Sequence, residues 1–299
     1  MTTSGTATGT IGTPSVVTAN TVWDVPVTGV SGDGTIRLDL TANSISDPAG
    51  NQGPSSAYTS GETYTIDHTA PVVSITSPTS GSYINGTQTI TRSLTETNPQ
   101  TDEARLRWPS GGTNYGNWTT YTPGTPISDL NGWGSINEGQ TFDIEILHTD
   151  CAGNVSATSS VTNLTKDVTP PTINSFVMSC DNSSGTITFS EPVYANYNAT
   201  GNLTTTNLSI TKSGGSANIN TASISHTAGA TTATANITWI GTLNGFELVK
   251  VETQGPNKVF DAAGNAMAHP TNATDYSNVT ITIVSNPTAQ TVCENTNAS

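Results

Sequence analysis

One five-residue phrase recurs along this 299-residue chain and narrows its fold more than any other feature. It reads Asp47-Pro-Ala-Gly-Asn51, then Asp150-Cys-Ala-Gly-Asn154, then Asp261-Ala-Ala-Gly-Asn265, with copies roughly a hundred residues apart. A second phrase follows the first two copies: Tyr64-Thr-Ile-Asp67-His-Thr-Ala-Pro71 and Leu164-Thr-Lys-Asp167-Val-Thr-Pro-Pro171. Each is a short strand, an Asp, a Thr and a proline, and a new apolar run opens behind it at Val72 and at Ile173. Self-similarity of this kind marks tandem units, and proline stiffens the joint between them. The chain therefore divides into a first unit over 1–69, a second over 70–168 and a third over 169–285. Residues 286–299 read as a linker and the start of a further unit.

Within the units the apolar period is two. Ile36, Leu38 and Leu40 alternate with polar residues and are expected to face inward. Phe142, Ile144 and Ile146 do the same, with Asp143 and Glu145 outward, and so do Ile187 and Phe189. Such alternation is the mark of half-buried strands, not helices, and turn phrases such as Ser31-Gly-Asp-Gly34 and Asn182-Ser-Ser-Gly185 punctuate it. The second and third units have the length of single β-sandwiches. The net charge of −14, with eight Lys plus Arg, leaves no basic patch for phosphate and argues against nucleic acid as a partner. No apolar run is long enough for a membrane helix, and the first ten residues lack the features of a signal peptide. The four histidines, His68, His148, His226 and His269, form no HExxH or similar spacing. There is no nucleophile elbow and no phosphate loop. The chain is read as non-catalytic, with His148 as a core or rim histidine. Its N-x-S/T sequons, Asn85 and Asn117 among them, are read as a product of composition.

The D-x-A-G-N loops, the D-x-T-x-P linkers and the phrase Ser190-Glu-Pro-Val193 resemble the bacterial immunoglobulin-like repeats of large surface adhesins. Gly29-Val-Ser-Gly-Asp-Gly-Thr-Ile-Arg-Leu-Asp-Leu40 fits the same repeats. Gln290–Ser299 looks like the opening of another module, of a type found in gliding bacteria with type IX secretion. The resemblance implies an all-β chain of tandem immunoglobulin-like antiparallel β-sandwiches arranged as an elongated rod. It also implies an extracellular or cell-surface location, a role in adhesion or spacing, and calcium at some junctions. Three modules in line, with strands rising ~3.3 Å per residue, would span roughly 110–120 Å.

In such a sandwich the loop before the last strand lies at the pole where the chain enters. Asp150 and Asn154 are therefore expected beside the linker residue Asp67, with Glu96 of the Thr95-Glu96-Thr-Asn98 loop at the same pole. The same reasoning gathers Asp167, Glu191, Asp261 and Asn265 at the next junction. Several oxygen ligands in one place suit the hard cation Ca²⁺; without a cation the carboxylates repel one another. D-x-x-G-N is also good turn chemistry, and both readings can hold together.

Aromatic residues concentrate in the second unit. Trp108 and Trp118 are expected to fill its core. The alternative is a carbohydrate-binding array using Trp108, Trp118 and Trp133, which would need at least two rings exposed on one face. A further alternative is an accessory region of a secreted enzyme. Cys151 and Cys180 are expected at opposite poles and unbonded, and Cys293 is expected to be free. The first unit begins where a full repeat would already have made its first two strands. It is expected to borrow strands from a neighbouring copy, with the tail as candidate donor. Partners are thus other modules of one long chain, neighbouring copies, and a surface glycan or protein.

Overall fold

The computed structural model describes residues 1–19, 21–285 and 288–294, and for 279–285 and 288–294 the backbone path alone. Among the described residues there is no α-helix, and so none long and apolar enough to cross a membrane. The chain is built of antiparallel sheets, as its period-two patterning requires.

The third unit is a seven-stranded sandwich. One sheet runs Ile173–Met178, Ser184–Phe189, Thr232–Ile240, Asn218–Ser225 in spatial order; the other runs Leu208–Ser213, Leu248–Thr253, Asn272–Tyr276. In chain order these are strands A to G, so the two sheets are A-B-E-D and C-F-G, the constant-type immunoglobulin arrangement. Every second residue points between the sheets. Phe176, Ile187, Phe189, Ile237, Val249 and Val251 meet there, all buried, and each aliphatic side chain contributes about 1.5–3 kcal/mol. At the exit pole Glu247, fully buried, accepts bonds from the amides of Ser216, Ala217 and Gly245 and from the Ser277 hydroxyl. Burial opposes its charge, but these donors win and draw its pKa down to about 2.

The second unit keeps the two layers with a different division. Val72–Ser77 pairs with Thr91–Thr95 in one sheet. The other sheet orders Tyr83–Ile84, Ser159–Lys166, Thr141–Asp150, Pro99–Trp108 and Asn114–Tyr115, with Thr119–Thr120 also on Pro99–Trp108. Tyr83–Ile84 runs parallel to the last strand, so the chain crosses from one layer to the other between residues 77 and 83. Two 3-10 turns, Ile127–Asp129 and Trp133–Ser135, stand where the third unit has its D and E strands. Ile127 and Ile136 are buried there with Leu106, Phe142, Ile144, Ile146 and Leu164.

Two expectations for this unit need correction. Asp143 and Glu145 do point away from Phe142 and Ile144, but they are buried, at 0% and 6% exposure, because arginines lie across them. Arg107 pairs with Asp143 at 2.5 Å and Arg105 with Glu145 at 2.7 Å. Trp118 is not in the core either. It is half-buried and stacks on the Arg105 guanidinium 4.5 Å from its ring, with Tyr115 at 4.4 Å. A cation between two aromatic faces is favourable where it is partly shielded from water. Trp108 and Trp133 are half-buried and do pack on the core. His148 is buried, its Nδ1 2.9 Å from Asp102 Oδ1.

The first unit departs most from its reading. A small sheet joins Thr2–Thr3, Gly34–Arg37 and Thr63–Ile66, and the remaining pairs are short hairpins. Ile36 is buried, but Leu38 is only half-buried, Leu40 is 43% exposed and Trp23 54% exposed. The strand ends at Arg37, and beyond it Leu40 makes only an isolated bridge to Tyr58, so the alternation no longer lies in a continuous sheet. Strand Val279–Ser285 pairs with Thr288–Glu294, so the tail is not unpaired within the chain as expected, while the third unit's own sheets end with Asn272–Tyr276. Residues 286, 287 and 295–299 of the proposed further unit lie outside the described residues, as does the side chain of Cys293. Cys151 and Cys180 are exposed free thiols.

Candidate metal centres at the junctions

All three D-x-A-G-N phrases make one turn. In the first, the amides of Ala49 and Asn51 both donate to Asp47 Oδ1 at 2.9 Å, and Asn51 Nδ2 donates to Oδ2 at 2.8 Å. Asp150 receives the same three bonds from Ala152 and Asn154, each at 2.8 Å. Asp261 receives them from Ala263 and Asn265 at 2.7–2.8 Å. The glycine stands at φ +88°, +89° and +84°, a left-handed conformation that side chains resist. Asp closes the turn, Gly permits it and Asn locks it, so the phrase is local chemistry.

Tertiary structure then separates the copies. Asp47 is exposed and belongs to neither carboxylate group found among the described residues. Asp150 is fully buried, and its carboxylate oxygens lie within 4.8 Å of those of Asp67 and Glu96. Asp261 is fully buried, and it lies equally close to Asp167 and Glu191. Each group joins a linker, the loop after strand B and the loop between strands F and G. Asn154 and Asn265 are the clamps. Their amide nitrogens donate to the linker carbonyls of Asp67 at 3.1 Å and Asp167 at 2.9 Å. Those nitrogens are spent, so the side-chain oxygen is what either Asn can offer a cation. All eight junction residues read from the sequence are thus at the two sites, six as carboxylates and two as clamps.

The electrostatics of the two sites differ. Burial pushes the Asp150 carboxyl up, but the Asn154 and backbone donors outweigh it and the pKa falls below the usual value. At the second site burial and the neighbouring carboxylates raise Asp167 to about 6 and Glu191 to about 7. Asp261 is raised as well, chiefly by burial, despite the same donors that lower Asp150. Raised values on three clustered acids mean that the ion-free site holds more negative charge than its surroundings stabilise.

A fourth acid was missed from sequence. Glu138 accepts the Val168 amide at 3.1 Å and the Thr169 amide at 3.3 Å, and its charge helps raise Asp167. Asp33 does the same work at the first junction, taking the His68 amide and the Thr69 hydroxyl at 2.6 Å each. Asp33, Glu138 and Glu247 stand just before the strands Gly34–Arg37, Thr141–Asp150 and Leu248–Thr253. An acid at that place in each repeat was the available signal. The second junction also has a direct tie between units, from Gln88 Nε2 to the Ala263 carbonyl at 2.8 Å.

The three tryptophans, Trp108, Trp118 and Trp133, are all half-buried and none is exposed, so they do not make the open platform that the glycan reading required.

No protein-family model matches this sequence, and no curated protein is similar to it. Among solved structures the chain is similar to the D00-D0 domain of Intimin, at 12% identity over 69% of this chain and 99% of that one. The TM-score is 0.27, too low to imply a common arrangement of the whole chain.

Proposed function

We propose that this chain is a non-catalytic stalk segment of a large extracellular bacterial surface protein, whose junctions are stiffened by calcium. The observation that carries the reading is the recurrence of one carboxylate triad at both junctions, Asp67–Glu96–Asp150 and Asp167–Glu191–Asp261, each straddling a linker and two loops of the following unit. A cation bound there would tie the linker to the next sandwich and convert a hinge into a strut. Oxygen-only ligands, several of them carboxylates, suit Ca²⁺ in size and hardness. Location at the cell surface and a role in adhesion or spacing belong to the same proposal and rest on the resemblance of the repeat phrases.

Small-angle scattering with calcium and with EDTA tests it. The expected result is a maximum dimension near the rod length, roughly 110–120 Å, with calcium, and a shorter, broader distribution in EDTA. Identical profiles in both conditions, at the compact dimension of a sphere of this mass, would end the proposal. In the same reading the edge strand Thr63–Ile66, which pairs on one side with Gly34–Arg37, takes an added strand from a neighbouring copy. The exposed Tyr64 on that strand would be covered by it. Sedimentation that stays monomeric at every concentration would remove that part.

A further inference from the structure

The chain is strongly acidic, and its few cations are nearly all engaged. Of the eight Lys and Arg, Arg37, Arg92, Arg105, Arg107 and Lys250 are in ion pairs, and Lys166 and Lys212 donate to backbone carbonyls. Lys258 is exposed and has neither kind of partner among the described residues. It lines an open cleft of about 480 Å³ in the third unit, between the loop 195–200 and the start of the loop between strands F and G. No carboxylate lines that cleft.

The other walls are of one kind. Tyr197 is 74% exposed, the most exposed large apolar side chain in the described chain. Asn196, Asn198 and Asn257 present side-chain amides beside it. Asn196 spends its nitrogen on Thr200, and Asn198 its oxygen on the Thr200 hydroxyl, so one keeps an acceptor and the other its donors. Asn257 has no side-chain partner among the described residues, and it sits at φ +57°, which holds the loop in a tight bend. The frame beneath is fixed. Buried Asn207 donates to the Lys258 carbonyl at 2.7 Å, and Tyr194 and Phe260 exchange backbone bonds at 2.7 and 2.9 Å.

We infer that this cleft is a binding site for a pyranose sugar bearing a carboxylate, such as a uronic or sialic acid residue of a glycan. The exposed Tyr197 ring offers a flat apolar face to the C–H side of the sugar. Amides that both donate and accept match vicinal hydroxyls, and the Lys258 ammonium meets the carboxylate. The site shares no side chain with the junction carboxylates, although Phe260 adjoins Asp261 and the Tyr197 carbonyl lies against Gly264 of the same turn, so the test is run in EDTA.

The test uses the whole chain in EDTA at physiological salt. The probes are the methyl glycosides of glucuronate, galacturonate and N-acetylneuraminate, each beside its neutral methyl ester, followed by saturation-transfer NMR and titration. At least one acid is expected to bind at millimolar concentration, with its ester roughly tenfold weaker, the worth of one charge-assisted hydrogen bond. Lys258→Ala should bring the acid down to the level of the ester, and Tyr197→Ala should abolish both, with melting unchanged because both side chains are exposed. The inference fails if none of the acids binds. It fails if acid and ester bind alike, or if either variant binds like the parent chain. Equal binding of an N-acetylated aspartyl peptide would overturn the sugar assignment.

Discussion

The two junctions use the same phrase, the same linker aspartate and the same glutamate after strand B, yet the buried aspartate of the turn is lowered at the first and raised at the second. One difference lies two residues beyond that glutamate. At the first junction Asn98 follows Glu96 and donates its amide to Asp67 Oδ2 at 3.1 Å. At the second, Val193 follows Glu191 and is fully buried in the core of the third unit. An amide donor relieves a carboxylate; a valine adds to its desolvation. The linker contributes as well. At the first junction the Thr69 hydroxyl and then the His68 amide hold Asp33 below its ordinary value, and the His68 ring bonds the Gly32 carbonyl, where the second junction has Val168 beside Glu138. A repeat can thus keep its ligand set and change how urgently that set needs a cation.

The largest expected effect is at the buried aspartates. Asp150→Ala removes three hydrogen bonds to a charged group and should cost about 3 kcal/mol or more. Asp261→Ala removes the same three, but it also relieves repulsion, and in EDTA it should cost about 1 kcal/mol less. Equal costs by urea unfolding would mean that the junctions do not differ electrostatically.

Calcium comes next. At a hundredfold excess over its dissociation constant it should stabilise the folded junction by about 2.7 kcal/mol. Asp167→Asn should close more of the gap between calcium and EDTA melting curves than Asp67→Asn, because the second site has more unrelieved charge. The opposite ranking would reverse the comparison, and no gap at all would remove it.

The third effect is on pH, in EDTA, and its sign differs between sites. Asp167 and Glu191 titrate in the folded chain at about 6 and about 7, above their ordinary 3.8 and 4.5. Their raised values destabilise the fold at neutral pH, so stability should rise as pH falls through 7 and 6. Solvent screening limits the gain to the order of 1 kcal/mol. Asp150 is lowered, so its contribution is present above 3.8 and is lost as pH falls through its folded value. Thermal melts of the Asp167→Asn variant should lose part of the rise between neutral and mildly acid pH, keeping the share of Glu191, and should keep the loss at low pH.

The smallest effect is the sharpest. Asn98→Val gives the first junction the side chain of the second. In EDTA it should cost up to about 1 kcal/mol, the worth of one hydrogen bond to a carboxylate, and it should widen that junction's response to calcium. An unchanged calcium response would show that Asn98 is not what separates the two sites.

Much of this was legible beforehand. The D-x-A-G-N turn is made by contacts within five residues, so its form follows from sequence and appears in all three copies. The period-two runs around Phe142, Ile187 and Phe189 read correctly because a sheet lies on each side of them. Leu40 continued a similar pattern, but it lies past the end of its strand and stays exposed. Asp143 and Glu145 were misjudged because alternation gives a side chain's face and not what covers it; two arginines from the neighbouring strand do that. Glu138 was hard to place because the amides it holds are some thirty residues ahead of it, and only the recurrence of an acid before that strand marked it.

By itself the sequence determined the all-β character, the repeat and the shape of each turn, because strand periodicity and turn chemistry act over a few residues. The sequence also pointed to the two turns that join a carboxylate cluster; only the tertiary structure decided which of the two clusters carries raised pKa values. Burial and charge coupling depend on what a distant loop brings within a few ångströms. At these junctions the distant groups include Asn98 beside Asp67 at the first, and Glu138 beside Asp167 and Glu191 at the second.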